Sequence, residues 1–177
     1  MSLLTRILLV STILVVVALL AFSATVYADL PIRIPTHFDA AGIPDGFGAR
    51  SSWWMLPAIS VASAALLIGL ALLLPRRPDL LNLPSKQEIL ALPRDAQIAV
   101  LRQAQPGLLM LGLMAAGVFL FLQYAKWEVT QGRTAWGIGN LVMVLPIVSI
   151  ALLPALLVPV RRELRRQQAA RSSSTQR

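Results

Sequence analysis

The chain has 177 residues, 56% hydrophobic and 14% charged, with a mean hydropathy of +0.70. Soluble domains average about 45–50% apolar and about 25% charged residues, so an ordinary soluble domain is excluded. There is no cysteine, which excludes disulfides, thiolate metal sites and cysteine nucleophiles. Sixteen Lys and Arg against eight Asp and Glu leave a net charge of +8.

The apolar residues fall in four long blocks with polar punctuation. A bilayer core of about 30 Å needs about 20 helical residues. Segments 7–28, 53–74, 108–127 and 135–160 meet that length. The sequence therefore predicts an all-α membrane protein: one integral domain, 1–177, with four transmembrane helices. The first block begins after Arg6, and Val26-Tyr27-Ala28 has the small residues of a cleavage site. Its apolar run is long and its charged flank thin, which predicts an uncleaved helix.

Segment 29–52 connects the first two helices. Its prolines and glycines forbid a long helix. Ile32–Ile34, framed by Pro31 and Pro35, should be extended. Ala40-Ala41-Gly42 and Pro44-Asp45-Gly46 are turn signals, with Asp45 expected to bond backbone amides near Gly46–Gly48. Trp53 and Trp54 mark the membrane interface. In the second helix Ala58, Ala62, Ala65 and Gly69 form a stripe of small residues for close helix approach.

Segment 75–106 carries a capping box, Ser85-Lys-Gln-Glu88, and a second helix start at Pro93-Arg94-Asp95. Short amphipathic helices lying in the interface are expected there. The third span starts after Pro106-Gly107, with Gly112 and Ala116 as a small-xxx-small pair and Trp127 as its interfacial anchor. The fourth contains Asn140, expected to bond a neighbouring helix, and Pro146, Pro154 and Pro159, expected to kink it. The basic tail 161–177 should be a surface helix that frays.

Charge orients the chain. With the N-terminus cytoplasmic, Arg6, Arg76, Arg77, Lys86, Arg94, Arg102 and the six arginines of the tail lie inside. Arg33, Arg50, Lys126 and Arg133 lie outside, balanced by Asp29, Asp39, Asp45 and Glu128. The whole net charge is then internal, so the topology read is N-in/C-in with a structured extracytoplasmic loop. The basic tail reads as topology and attraction to anionic lipid, not as nucleic-acid binding.

The four apolar blocks, the third counted over 108–124, contain no Asp, Glu, Lys, Arg or His. Ion pumps and proton-coupled transporters normally need such a residue. No internal repeat, HExxH helix, Gly-x-Ser-x-Gly elbow or phosphate loop is present. Polar chemistry concentrates in the outer loop, which holds the chain's one histidine, His37. His37, Asp39 and Asp45 form a permissible divalent-metal set, provided that the chain turns so that they converge. A structural His37, or one that recognises an external partner, are the other readings.

In this loop Leu30-Pro31, Ile34-Pro35, His37-Phe38, Gly42, Pro44-Asp45-Gly46-Phe47-Gly48 and basic Arg50 resemble the signature of a bacterial membrane-domain family of unknown function. The domain occurs in SdpI-type immunity proteins, which protect a cell from its own secreted toxin. The resemblance spans the first two helices and their loop. It implies a cytoplasmic-membrane protein with no cofactor and more binding than enzymatic character. Pro35, His37, Phe38, Asp39, Gly42, Pro44, Asp45, Gly46, Phe47 and Arg50 would be its outer-loop binding residues. The expected partners are the lipid bilayer and an extracytoplasmic peptide, toxin or membrane protein, with a homo-oligomer left open. A metal-dependent membrane enzyme built on His37, Asp39 and Asp45, and a structural subunit of a membrane complex, are the alternatives.

Overall fold

The computed structural model describes residues 1–39, 43–78, 86–133 and 157–170. Three of its helices are long and apolar enough to cross a membrane. Helix α1 is Leu3–Val26, α2 is Met55–Leu73 and α5 is Gln105–Thr130. Between α1 and α2 stand two strands, β1 (Arg33–Phe38) and β2 (Pro44–Ala49). Between α2 and α5 lie two short helices, α3 (Lys86–Leu90) and α4 (Arg94–Arg102). Residues 157–170 form a last helix, α6. The fourth predicted span, with Asn140, Pro146 and Pro154, lies outside the described residues except for its end, 157–160. So do Gly42, Ser85 of the capping box, and the tail beyond 170.

Helix boundaries follow local chemistry. Helix α1 starts four residues before the apolar block because Ser2 caps it, accepting from the Thr5 amide at 3.1 Å. Pro106 and Gly107 do not precede α5 but lie in its first turn, where a missing N–H costs nothing. Helix α5 also runs past Trp127 to Thr130. It closes in a Schellman motif, with Gly132 at φ 74° and the Gly132 and Arg133 amides returning to Val129 and Glu128. The observed helix thus encloses Glu128, which the sequence reading placed in the connection beyond the span.

The bundle is packed inside out relative to a soluble one. The buried face of α1 is Thr5, Leu8, Thr12, Leu19 and Ser23, while Leu3, Leu4, Ile7, Val10, Ile13, Leu14 and Val17 are exposed. Helix α2 buries Pro57, Ser60, Ala64 and Ala71 and exposes Ile59, Val61, Leu66 and Leu73. In water this arrangement would waste the apolar area. In lipid, large apolar side chains lose nothing by facing outward, and small or polar ones let backbones approach and bond. Thr12 shows how: its hydroxyl donates to the Leu8 carbonyl at 2.8 Å and reaches the Leu109 carbonyl on α5 at 3.5 Å.

Leu8, Ala71 and Leu109 meet at one end of the bundle, and residues near Phe22, Trp53 and Trp127 at the other. Helices α1 and α5 therefore run parallel, with α2 antiparallel to both. Midway, Gly112 faces Leu67 and Thr12, and Ala116 is buried one turn on. This pair is spent on internal packing, not on an external contact face. The stripe predicted in α2 is a correction: Ala58, Ala62 and Ala65 are exposed, and a side chain on Gly69 would meet nothing. The contacting face is rotated to Pro57, Ser60 and Ala64.

The end holding Leu8 carries a second core. Ile89, Leu92, Val100 and Leu101 pack with Val160 and Leu164 of α6 and with Leu74 at the end of α2. The amphipathic faces of α3 and α4, expected to lie on the interface, are covered by α6 instead. Two glutamines fix this corner. Gln97 donates to the Leu90 and Leu92 carbonyls, and Gln105 donates to Ala71 at 2.9 Å, filling carbonyls that helix ends leave unbonded.

A Cβ on Gly112 would sit 3.6 Å from Leu67 Cβ and Thr12 Cγ2, ordinary contact distance. Gly112→Ala should therefore fit and gain about 0.5–1 kcal/mol of helix propensity. Gly112→Leu should lose about 1–3 kcal/mol by overpacking. Thermal unfolding of both variants in one detergent checks the opposite signs.

Candidate functional site

The segment between α1 and α2 is an antiparallel hairpin. Its register pairs Arg33 with Ala49, Ile34 with Gly48, Pro35 with Phe47, His37 with Gly46 and Phe38 with Pro44, with irregularities on either side of His37. The Arg50 amide donates to the Ile32 carbonyl at 2.9 Å, which sets the phase of the ladder. Pro35 then occupies a non-hydrogen-bonded pair, where its missing N–H is not needed. Segment 32–34 was expected to be extended, and the strand indeed begins at Arg33. Pro44-Asp45-Gly46 was expected to turn and is instead part of β2.

The other expected turn, Ala40-Ala41-Gly42, lies outside the described residues, and Asp39 and Ile43 flank it. The Asp39 amide donates to the Ile43 carbonyl at 2.9 Å, and the Ile43 amide donates to Asp39 Oδ1 at 2.8 Å. Asp39 thus holds the turn, the role assigned to Asp45 from sequence. Asp45 faces His37 across the strands, Oδ1 accepting from Nδ1 at 2.5 Å. The chain does turn near His37, and the residue it delivers is Asp45. Among the described residues no three of His, Asp and Glu converge on a metal position, and Asp39 Oδ1 is engaged by its own turn.

Two glycines make the pairing close. A Cβ on Gly46 would stand 2.9 Å from His37 Cβ, and one on Gly48 2.7 Å from Thr36 Cγ2. Neither contact is tolerable without a shift of the neighbouring strand. Gly46 and Gly48 share one face of β2 with Pro44, and the other face displays Asp45 and Phe47. The Asp45 carboxylate reaches His37 of β1 across the strands.

The dyad is open to solvent, with the His37 side chain 72% and the Asp45 side chain 48% exposed. A carboxylate only accepts, so Nδ1 carries the hydrogen of this bond and Nε2 remains on the exposed edge of the ring. Exposed pairs contribute only about 0–1 kcal/mol, so the contact orients the imidazole more than it stabilises the fold. Phe47 is exposed, and Phe38 half-buried. Arg50 sits over the Tyr27 ring, 5.0 Å from its centroid.

The hairpin is anchored from beneath. Leu30, Ile34 and Trp53 form a buried cluster with Phe22, Val26, Tyr27 and Trp127. Trp53, expected to mark the interface, is 0% exposed, whereas its neighbour Trp54 lies at the surface against Tyr27. Trp53 Nε1 donates to the Ser23 carbonyl at 3.0 Å. That carbonyl lacks its usual partner because the Tyr27 amide turns to Ala24 instead. Gln123 Nε2 donates to Ser23 Oγ and to the Trp53 carbonyl, both at 3.1 Å. Lys126, 3% exposed, lies 5.7 Å from the Trp53 ring centroid and reaches the Ser52 carbonyl at 3.5 Å. Sequence reasoning missed this network. A glutamine inside an apolar span was the available signal.

Trp53→Phe keeps the ring but removes the donor and should cost about 1–3 kcal/mol. Faster hydrogen exchange in the hairpin amides, together with a lower unfolding midpoint, is the expected readout. Gly48→Ala should destabilise the hairpin, and adding Thr36→Ser, which deletes the opposing methyl, should recover most of the loss. A double-mutant cycle on thermal stability measures that coupling.

Comparison with known proteins places this region. The model of a domain of unknown function, DUF1648, matches residues 14–61, which run from α1 through the hairpin into α2. An uncharacterized protein of the archaeon Archaeoglobus fulgidus is 37% identical over 124 residues, 66% of this chain and 67% of that protein. No solved structure matches. With two thirds of the archaeal protein covered at this identity, the chain belongs to that protein's family, and it carries a DUF1648 domain across the hairpin.

Proposed function

We propose that this is a non-enzymatic membrane protein that recognises an extracytoplasmic peptide, toxin or membrane-protein partner through the hairpin, as an immunity-type protein does. The carrying observation is the solvent-exposed His37–Asp45 pair on a hairpin tied rigidly to the bundle. A mobile connector would have to be ordered on binding, whereas a preorganised hairpin avoids that cost. His37 and the Asp45 carboxylate offer polar contacts, and the exposed Phe47, two residues from Asp45 on β2, offers an aromatic one.

In this reading the chain has four spans with both ends cytoplasmic. The charges near the hairpin cancel, and the net +8 resides at the opposite end, the arrangement that retains the basic end inside. No cofactor enters the proposed activity. The metal-enzyme alternative draws no support from Asp39, whose carboxylate accepts from the Ile43 amide.

Two measurements test the proposal. The chain has no cysteine, so Ala49→Cys gives a single label on the exposed side of β2. It should react with a membrane-impermeant maleimide in intact cells; protection there with reaction in inverted vesicles would reverse the orientation. A photo-crosslinker at Phe47 should capture a discrete partner in native membranes. His37→Ala and Asp45→Ala should each reduce that adduct on the order of tenfold, equivalent to about 1.4 kcal/mol. An undiminished adduct in both variants overturns the dyad's role.

A further inference from the structure

We infer that the end of the bundle opposite the hairpin is a binding surface for anionic phospholipid headgroups, formed by the arginines of α6. Helix α6 is pinned by Val160 and Leu164, buried against α4. Arg161, Arg162, Arg165 and Arg166 are all exposed on the same short helix. The four form two i,i+4 pairs, Arg161 with Arg165 and Arg162 with Arg166, each one turn apart and flanking the buried stripe. Their charges are therefore displayed from a fixed backbone.

Two acids stand near four arginines and leave them in excess: Glu88 of α3 accepts from Gln168 of α6 at 3.1 Å, and Glu163 lies on α6 itself. Glu163 is drawn to Gln167 at 2.8 Å and touches Arg166 at 3.8 Å, whose side chain stays 80% exposed. The depth is set by the same core: Leu74, the residue that caps the end of α2, packs against the cluster holding Val160 and Leu164. Helix α6 thus lies where an apolar span ends, which is headgroup depth.

The residue type narrows the ligand. A topological signal alone is satisfied by lysine or arginine alike. All four exposed cations on α6 are arginine, and Lys86 and Lys126 are the two lysines of the chain. A guanidinium grips a phosphate with two parallel bonds, whereas an ammonium acts as a point charge. Phosphodiester headgroups at the membrane surface present that anion at the depth of α6.

The test uses the full chain in nanodiscs of phosphatidylcholine alone or with phosphatidylglycerol at one third. For the wild type, the anionic lipid should raise the unfolding midpoint by at least about 4 °C. In the quadruple variant Arg161→Gln, Arg162→Gln, Arg165→Gln, Arg166→Gln, that increment should disappear while the midpoint in phosphatidylcholine stays as in wild type. If the glutamine variant fails to fold, the four-lysine variant serves, because it keeps the charge. It should lose more than half of the increment and retain fewer phosphatidylglycerol molecules in native mass spectrometry. An increment that survives in the variants, or is absent in wild type, overturns the inference. So does a full increment produced by soluble polyphosphate in phosphatidylcholine discs, which would make the ligand a free polyanion and not lipid.

Discussion

The hydrogen bond from the Trp53 indole to the Ser23 carbonyl is the constraint on which the hairpin end depends. Helix α1 must end somewhere, and its end leaves carbonyls without amides. In an apolar setting each such carbonyl carries a penalty that water cannot relieve. Trp53 supplies the missing donor while its ring fills the space between Phe22, Ile34 and Leu30. One side chain thereby satisfies the end of α1, fixes the start of α2 and forms the floor of the hairpin. Gln123 repeats the solution from α5, bonding both Ser23 and the Trp53 backbone. Three segments far apart in sequence are thus held by one small polar network, and the rigidity of the hairpin is inherited from it.

The same logic runs down the bundle. Lipid offers helices no hydrophobic reason to associate, so contact must come from close packing and from bonds between backbones and small polar groups. Thr12 and Ser23 bond across to α5 in this way, and Thr5 and Ser60 are buried as small residues at helix contacts. Gly112 allows α5 to approach Thr12 and Leu67. At the far end, where α2 and α5 are joined through short helices, glutamines replace water as partners for carbonyls. The corner around Gln97 and Gln105 is a cap network in the same sense as the Trp53 cluster.

How much of this was legible in the sequence depended on whether the signal was a length, a period or a pairing. Span lengths were legible, because bilayer thickness sets them and composition reports them. The lipid-facing and bundle-facing sides of α2 were not, since alanine is common on both and only contact distinguishes them. The stripe through Ala58 and Gly69 was therefore placed on the wrong face. The extended run at 32–34 was legible from the prolines that frame it. The loop's register was not, because Pro-Asp-Gly suits a turn locally and the ladder with His37 overrode that preference. The two aspartates exchanged roles for the same reason: Asp39 and Asp45 have equal turn chemistry, and strand pairing alone decides which one meets the histidine. Lys126 looked like an outer-loop charge until a helix that closes at Gly132 carried it into the bundle.

The two ends of the molecule then differ in kind. At the hairpin end the charges balance locally, and the exposed groups include the His37–Asp45 pair, Phe47, Ile32 and Ile43. Such a surface has little long-range field, so the proposed recognition would depend on shape and specific bonds. At the other end basic residues outnumber acidic ones and four arginines repeat along α6, so its field reaches across a Debye length of about 8–10 Å. Helices α1, α2 and α5 link these ends through small and polar residues midway and through leucine and aromatic clusters at either end. The proposed hairpin contact and the proposed arginine contact therefore lie at opposite ends of the same three helices, so a ligand at one would leave the other open.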